Sequence, residues 1–280
     1  MPGRRTKGRT SSLTERFPMS TSRATKLAIG RQLRHCPSVY SLGVRRNLLD
    51  YSPAELEMIR TASKIYYPTI LLAEALTALG KDIFPSVQTI RYAGDKILQT
   101  RLFQLLGLPM PYTKIYYGQR QKENILDDFA FPFVSKIPRK SSKGRGVFLV
   151  HNQAQLHDYL RQAQPAYIQE YLPIYRDMRV VILGRKVVHA YWRKARGDDF
   201  RTNVTQGGSI MLAPLPKEAL ELAMHAARQC RFDQVGFDIC EYQNRFYIFE
   251  ANMAFGMDGF KAAGLDFRII LRDLVESDVL

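Results

Sequence analysis

The sequence predicts an α+β protein in which capped helices are combined with antiparallel β-hairpins. The segments RVVILG and KVVHAYWR meet at Gly184-Arg185, as the two strands of a hairpin do. A second pair is formed by VGFDIC at 235–240 and the strand that enters FEANMAFGMDGF at 249–260. Apolar side chains recur at helical spacing over 217–230, which indicates a helix with one buried face.

The remaining elements divide the chain near residue 92. Before it, Ser52, Pro53 and Glu55 form a helix-capping pattern, which predicts a helix to about residue 64. A second helix is predicted over 69–79 and ends at Gly80. After residue 92 the patterns predict a helix over 95–107, an extended segment to 117, strands over 131–137 and 146–150, a helix over 152–164 and a strand over 166–172.

Composition indicates a globular protein. With 280 residues and 46% hydrophobic content, the chain can bury the core of one large domain or two smaller ones. Its longest apolar stretch, at 69–79, contains Glu74 and is too short to cross a bilayer, so we expect a cytoplasmic protein without a membrane partner. Cys36, Cys230 and Cys240 show no CxxC spacing, which disfavours both a disulfide framework and a zinc site.

The net charge of +15 is unevenly distributed along the chain. Residues 1–26 contain seven Lys or Arg and one Glu, and this Ser- and Thr-rich segment shows no apolar period, so we expect it to be disordered. A transit peptide, a nucleic-acid-binding tail and a start at Met19 that leaves 1–18 outside the native protein are three open interpretations.

An oxygen-rich trio lies in the last hairpin. Asp238 stands in its first strand, and Glu250 and Asn252 stand two residues apart in its second. Because residues two apart share a strand face, we expect all three side chains in one cleft. Such a set suits Mg²⁺, which takes one or two protein carboxylates and fills its other positions with water and nucleotide phosphates.

A small-residue, cationic loop, PRKSSKGRG, follows Lys136. Its serines and glycines let backbone amides approach an anion, and its cations add charge. The loop matches neither the GxxxxGK[ST] nor the GxGxxG phosphate-binding pattern. A plain turn and a phosphate site both remain open, and a lysine that ends an apolar strand beside the loop favours the phosphate site.

The order of these elements resembles the ATP-grasp superfamily, and within it the RimK-like carboxylate-amine (alpha-L-glutamate) ligases. The resemblance runs from about Arg91 to Asp273 and is carried by QEYLPIYRDMRVVILGRKVVHAYWRKARGDDFRTNVTQGG at 169–208, with VGFDIC and FEANMAFGMDGF. It implies an ATP-grasp domain over 93–280, in which two α+β subdomains hold ATP between them. A reduced pre-ATP-grasp region at 27–92 would precede it, after the basic tail at 1–26.

The resemblance also implies a role for individual residues at the nucleotide. Lys96 and Lys136 would contact the phosphates, and the loop from Ser141 to Gly146 would close over them. Glu170 and Tyr171 would read the adenine through backbone groups. The full set implied for the nucleotide is Lys96, Lys136, Ser141, Ser142, Gly144, Gly146, Glu170, Tyr171, Asp177, Arg201 and Asn203.

The metal and substrate roles follow from the same resemblance. Asp238, Glu250 and Asn252 match its magnesium ligands, with Glu250 bridging two Mg²⁺ ions and Mn²⁺ as an alternative ion. Arg201 would stabilise the transferring phosphoryl group. Arg193 is preferred to its neighbour Lys194 for holding a substrate carboxylate, because a guanidinium binds a carboxylate bidentately.

The function implied is an ATP-dependent carboxylate-amine ligase that works through an acylphosphate and needs no covalent enzyme intermediate. Glutamate addition to a peptide, a protein C-terminus or a small metabolite fits this reading, and relatives of this type often form homo-oligomers. Two alternatives remain, a phosphotransferase of the same fold and a non-catalytic nucleic-acid- or ribosome-binding protein. The positive charge favours the last, and the absence of a recognised nucleic-acid-binding motif disfavours it.

Overall fold

The computed structural model describes residues 26–139, 146–196, 202 and 207–280. The basic tail expected at 1–26, apart from Lys26, therefore lies outside the described residues. Within the described ranges, no helix is long and apolar enough to cross a membrane.

The first part of the chain forms a parallel sheet with helices between its strands. In chain order the elements are β1 (Lys26–Ala28), β2 (Val39–Ser41), α1 (Pro53–Thr61), β3 (Lys64–Tyr66), α2 (Ile70–Ala78), β4 (Asp82–Phe84) and α3 (Val87–Tyr92). Among the described residues the strand order is β2-β1-β3-β4. Only α1 and α2 were predicted here from the sequence. The strands were missed because three residues are too few to display an alternation, and the short helix α3 was missed as well.

The predicted start of α1 is confirmed and its predicted end is wrong. The Ser52 hydroxyl accepts from the Glu55 N–H at 3.3 Å, and the Glu55 carboxylate accepts from the Ser52 N–H at 2.7 Å. This reciprocal cap satisfies two donors that a helix start leaves unpaired. The helix ends at Thr61 instead of near residue 64, because Lys64 already pairs with Asp82 as part of β3.

The second sheet is antiparallel and follows a helix that leads into it. The elements are α4 (Lys96–Leu105), β5 (Thr113–Tyr116), α5 (Gly118–Lys122), α6 (Ile125–Asp128), β6 (Phe133–Lys136), β7 (Val147–Val150), α7 (Gln153–Gln162) and β8 (Ala166–Glu170). In the described part of the chain its order is β5-β8-β6-β7. All the predicted elements are present, with ends displaced by a few residues, and only the short helices α5 and α6 were missed.

The third sheet is antiparallel and carries the two predicted hairpins. Its elements are β9 (Arg176–Leu183), β10 (Lys186–Lys194), β11 (Ser209–Met211), α8 (Lys217–Cys230), β12 (Gln234–Tyr242) and β13 (Arg245–Asn252). Across the described residues the order is β11-β10-β9-β12-β13. The first hairpin turns at Gly184, whose φ of 60° is a left-handed conformation that favours glycine.

Helix α8 covers one face of this sheet with small side chains. Ala219, Ala223, Ala226 and Ala227 are buried at the helical spacing predicted from the sequence. They pack with the β9 and β12 side chains in one hydrophobic core. Small residues let the helix axis approach the sheet closely.

Two C-terminal helices join the third sheet to the first. They are α9 (Asp258–Ala262) and α10 (Phe267–Glu276). Leu271 and Val275 of α10 share a core with Tyr66 of β3 and Leu183 of β9. The Tyr66 hydroxyl also donates to the carbonyl oxygen of Leu280 at 2.7 Å. The parallel sheet and the five-stranded sheet are therefore held by a common core.

The contact between Gly259 and the Tyr191 ring gives a test of this packing. A Cβ at Gly259 would lie 2.1 Å from the Tyr191 ring, whereas one at Gly256 would meet nothing nearer than 3.6 Å. We expect Gly259→Ala to lower the free energy of unfolding by about 2 kcal/mol through overpacking, measured by urea denaturation. Gly256→Ala is the matched control, and an equal effect of the two substitutions would contradict the packing.

Candidate functional site

Asp238, Glu250 and Asn252 lie on neighbouring strands with their side chains on one face of the third sheet. The antiparallel register pairs Asp238 of β12 with Glu250 of β13, and Gly236 with Asn252. Directly opposed residues project to the same side of a sheet. The Asn252 amide nitrogen donates to Oδ2 of Asp238 at 3.1 Å. The structure thus brings together the trio that alternation predicted.

Asp238 belongs to a buried row of alternating charges, which we call the charge array: Arg179, Asp238, Arg193 and Asp177. Arg179 donates to both Asp238 oxygens, from Nε at 2.5 Å and from Nη2 at 3.2 Å. Arg193 donates to both Asp177 oxygens at 2.8 and 2.5 Å, and its Nη2 lies 3.1 Å from Asp238 Oδ2. None of the four residues is more than 7% exposed.

The strand registers produce this array. Asp177 is the cross-strand partner of Arg193, and Arg179 is the partner of Asp238. Gly236 contributes by its small size, because a Cβ there would lie 3.0 Å from Cδ of Arg179. The charges therefore occupy one face of the three central strands while hydrophobic residues fill the other.

Mutual compensation keeps Asp238 and Arg193 ionised. Burial alone would raise the pKa of Asp238, but Arg179 and Arg193 outweigh it and hold this pKa below its usual range. Burial alone would lower the pKa of Arg193, but Asp177 and Asp238 outweigh it and raise this pKa. A buried charge stays charged only when paired in this way.

Asn252 is oriented by its contact with Asp238. An ionised carboxylate can only accept hydrogen bonds, so the amide must turn its nitrogen toward Asp238. Its Oδ1 is not used by that contact and can serve as a ligand. Among the described residues no group of three or more His, Cys, Asp or Glu could hold a metal. A metal at this position would therefore use two carboxylates and the amide oxygen, a donor set that suits a hard cation.

Lys96 reaches this trio from outside the sheet. It is the first residue of α4, directly after Asp95, whose carboxylate caps the helix. Its Nζ lies 3.0 Å from Oε1 of Glu250, and only 6% of the residue is exposed. An ammonium group is thus held beside the carboxylate that was predicted to bridge two metal ions.

Lys136 approaches the trio from the second sheet. It ends β6, is 7% exposed, and places Nζ 5.8 Å from the ring centroid of Phe249, the neighbour of Glu250. Burial lowers the pKa of Lys136 to about 8, although the charge of Glu250 raises it in part. The second and third sheets therefore face each other across this cluster of charges.

Glu170 is the last residue of β8, and Tyr171 follows it. The Glu170 N–H donates to the Tyr112 carbonyl oxygen at 2.9 Å, and its carboxylate accepts from the Tyr112 N–H at 2.6 Å. This N–H is already used within the protein. The predicted reading of adenine by backbone groups of Glu170 and Tyr171 stays a prediction.

The roles expected of Asp177 and Arg193 meet a constraint. Both oxygens of Asp177 accept from Arg193, and Oδ2 also accepts from the Thr202 hydroxyl at 2.6 Å. Arg193 is 4% exposed and has its guanidinium between two protein carboxylates. Its expected bidentate contact with a substrate carboxylate stays a prediction, which this occupancy disfavours. The geometry gives Arg193 the position of a residue that orients Asp238.

Several predicted nucleotide residues lie outside the described part of the chain. Gly146 is described, with a φ of 72°, and its carbonyl oxygen accepts from the Ile137 N–H at 2.7 Å next to Lys136. The residues whose predicted roles stay predictions for this reason are Ser141, Ser142, Gly144, Arg201 and Asn203.

Sequence reasoning missed two residues of this region, Arg179 and Thr202. The signal for Arg179 was present, because Asp177 and Arg179 alternate within an otherwise apolar strand and must share a face. Thr202 carried no such signal. It lies within DFRTN, in which only Arg201 and Asn203 were predicted as site residues. Its hydroxyl contacts Asp177 of the charge array, 25 residues earlier in the chain.

The charge array predicts that removing a buried carboxylate destabilises the protein much more than removing an exposed one. Asp177→Ala leaves Arg193 buried with half its compensation, so we expect a loss of about 3–5 kcal/mol in the free energy of unfolding. Asp158→Ala is the control, because its pair with Arg161 is exposed and such pairs contribute about 0.5 kcal/mol. Urea denaturation measures both, and similar losses would contradict the array.

The lowered pKa of Lys136 predicts a pH dependence of stability. Between the native pKa of about 8 and the ordinary value of 10.5, the unfolded chain binds a proton that the native protein lacks, so stability rises with pH. From pH 7.5 to 9.5, wild type should gain roughly 1–2 kcal/mol relative to Lys136→Met. Lys186→Met, at an exposed position, serves as the control. If wild type gained as much stability relative to Lys186→Met as relative to Lys136→Met, the lowered pKa of Lys136 would be contradicted.

Comparison with known proteins relates this geometry to a family. Residues 93–275 match the RimK-like ATP-grasp domain. A probable alpha-L-glutamate ligase of Parasynechococcus marenigrum (strain WH8102) is 27% identical over 224 residues, which are 78% of this chain and 47% of that protein. The chain thus spans about half the length of that relative.

Two further proteins agree with this match. The ribosomal protein bS6–L-glutamate ligase of Escherichia coli O139:H28 is 28% identical over 238 residues, 82% of this chain and 78% of that protein. The structure of the ATP-grasp ligase PsnB, complexed with minimal precursor, Mg and ADP, has a TM-score of 0.68 at 14% identity, with 92% of this chain and 99% of that one covered. That likeness shows the fold, which is ATP-grasp. With more than half of its residues matched, the chain belongs to the RimK-like ATP-grasp family.

Proposed function

We propose that this protein is an ATP-dependent carboxylate-amine ligase that forms an amide through an acylphosphate. The observation that supports this most is the opposition of Lys96 and Lys136 to an oxygen-rich trio on the facing sheet. Cations on one side and metal-binding oxygens on the other suit a polyphosphate held between them. Family membership supports the same function.

The reaction needs charge compensation more than an acid-base pair. A substrate carboxylate oxygen attacks the γ-phosphorus of ATP, the bond to the bridging oxygen breaks, and ADP leaves. The amine nitrogen then attacks the acyl carbon, loses a proton and expels inorganic phosphate. Both steps gather negative charge in one place, so catalysis depends on positioned cations and dipoles.

We propose the following residues for those parts. Lys96 and Lys136 would neutralise phosphate oxygens. The array would hold Asp238 ionised and oriented, with Arg193 and Asp177 acting through it. The loop residues Ser141, Ser142, Gly144 and Gly146 would enclose the phosphates, Glu170 and Tyr171 would border the base, and Arg201 and Asn203 would contact the transferring group.

Mg²⁺ is the proposed metal, with two ions expected and Mn²⁺ as an alternative. Asp238, Glu250 and Asn252 would hold it, and their two carboxylates and one amide oxygen fit a hard cation that keeps some of its waters. When bound, it would supply charge neutralisation of the phosphate oxygens. Lys96 contacts Glu250 in the structure. When ATP binds, the Lys96 ammonium group would exchange this carboxylate for a phosphate oxygen.

Glutamate is the proposed amine substrate. The two curated relatives are named for glutamate ligation, one of them to a ribosomal protein. We propose that the carboxylate belongs to a protein or peptide acceptor, with a small metabolite as the alternative to be tested.

Purified protein incubated with magnesium-ATP, glutamate and a panel of acidic peptides and metabolites should form three products. These are ADP, free phosphate and a new amide mass. We expect Glu250→Gln to lower kcat/KM by about 100-fold, because it removes one of the two carboxylates proposed to hold Mg²⁺ beside the phosphates. Glu241→Gln, on the same hairpin but exposed, should have little effect. A phosphorylated product without free phosphate would identify a kinase and overturn the ligase.

A further inference from the structure

The last hairpin contains a β-bulge beside the oxygen-rich trio. Its register pairs Asp238 with Glu250 and Ile239 with Ile248. Phe249 is therefore one residue more than the facing strand can pair. Bulges interrupt the alternation of side chains, and those next to active sites redirect a side chain. Phe249 was not predicted from the sequence as a site residue.

The bulge turns Phe249 toward the same cleft as Glu250. Ile248 and Ala251 both lie in the hydrophobic core with α8, although regular alternation would send residues three apart to opposite faces. The two residues between them lie on the other side of the strand, where Glu250 contacts Lys96 and the Phe249 ring lies near Lys136. A regular strand could direct only one of these two side chains into the cleft.

Phe249 and Tyr167 form an aromatic pair around the Lys136 ammonium group. The Lys136 Nζ lies 5.8 Å from the centroid of each ring, which is within the range of a cation–π contact. Such contacts are strongest when the cation is shielded from water, and Lys136 is buried. Tyr167 is the cross-strand neighbour of Lys136 in the second sheet, whereas Phe249 belongs to the third.

Hydrogen bonds fix the Tyr167 side of this contact. The Tyr167 hydroxyl and the Thr100 hydroxyl of α4 are 2.7 Å apart. The Tyr159 hydroxyl accepts from the Tyr167 N–H at 2.8 Å and donates to the Lys136 carbonyl oxygen at 2.8 Å. The backbone of Lys136 and the ring of Tyr167 are thus held by one network. The Phe249 ring supplies the contact from the facing sheet.

An uncharged contact can hold Lys136 whether or not a metal is bound. Glu250 attracts the Lys136 ammonium group, but a metal on Glu250 would offset that attraction. The two rings carry no charge to be neutralised. A lysine side chain has many rotamers, and a side chain that is already held loses less freedom when it binds a phosphate.

We propose that Phe249 is a positioning residue, whose ring, redirected by the bulge, holds the Lys136 ammonium group in the cleft for a nucleotide phosphate. The inference rests on the proposed function, which gives Lys136 a phosphate partner. Phe249 acts through Lys136 and needs no contact with the nucleotide base. Tyr167 contributes the second ring.

The test is calorimetric titration of the full-length protein with magnesium-ADP and with adenosine. Phe249→Met removes the ring and keeps most of the side-chain volume. We expect it to raise the Kd for ADP about fivefold, the size of a shielded cation–π contact. The Kd for adenosine should not change, because adenosine has no phosphate for Lys136. Phe249→Leu should behave like Phe249→Met, and Phe249→Tyr, which keeps a ring, should behave like wild type.

A double-mutant cycle tests whether Phe249 acts through Lys136. In a Lys136→Met background, Phe249→Met should raise the Kd for ADP no further. Phe246→Met is the matched control, because Phe246 is also half-buried on β13 but packs on the core with α8. It should leave the Kd for ADP at the wild-type value. Urea denaturation confirms that each variant is folded.

Four outcomes overturn the inference. They are an unchanged Kd for ADP in the variants without the ring, an equal rise in the Kd for adenosine, a further rise in the Lys136→Met background, and no recovery by Phe249→Tyr. The proposed function fails differently, because wild type would then form no ADP, phosphate and amide, whatever the titration shows. An active enzyme whose ADP affinity does not depend on Phe249 removes only this inference.

Discussion

The contact of Asp238 with two buried arginines is the constraint on which the candidate site depends. Arg179 binds both carboxylate oxygens, and Arg193 links the same carboxylate to Asp177. Asp238 cannot rotate or take up a proton without leaving a guanidinium uncompensated in the interior. Through its hydrogen bond to Asn252, the same carboxylate decides which way the amide oxygen points. The Asp238 carboxylate and the Asn252 amide, which we propose as metal ligands, are therefore held in fixed orientations by protein contacts alone.

Two lysines from other elements lie close to this face of the third sheet. Lys136 comes from the second sheet, Lys96 from the start of α4, and both end within the reach of Glu250 or its neighbour. The core shared by α10, β3 and β9 holds the first sheet against the third. The first sheet and the charge array thus share a common framework, although their strands belong to separate sheets.

Local pattern was enough to predict much of this arrangement. Alternation placed Glu250 and Asn252 on one face of their strand, and capping residues located α1, because both signals depend on near neighbours in sequence. The three-residue strands β1 to β4 were not predicted, because they are defined by their pairing and not by a sequence pattern. Arg179 was missed although it alternates with Asp177 in the sequence. The pairing of Asp177 with Arg193 depends on the register of the hairpin, which no local pattern predicts. The hydrogen bond from Tyr66 to Leu280 joins residues 214 positions apart, and only the tertiary structure brings them together.

The most direct test is a crystal structure of the protein with Mg²⁺ and ADP. We expect metal contacts from oxygens of Asp238, Glu250 and Asn252, with the Asn252 nitrogen still donating to Asp238 and the Arg179–Asp238 contact intact. The phosphates should lie between this trio and the ammonium groups of Lys96 and Lys136. A metal and nucleotide bound elsewhere, or a bound state in which Asp238 has left Arg179, would contradict the role assigned to the charge array.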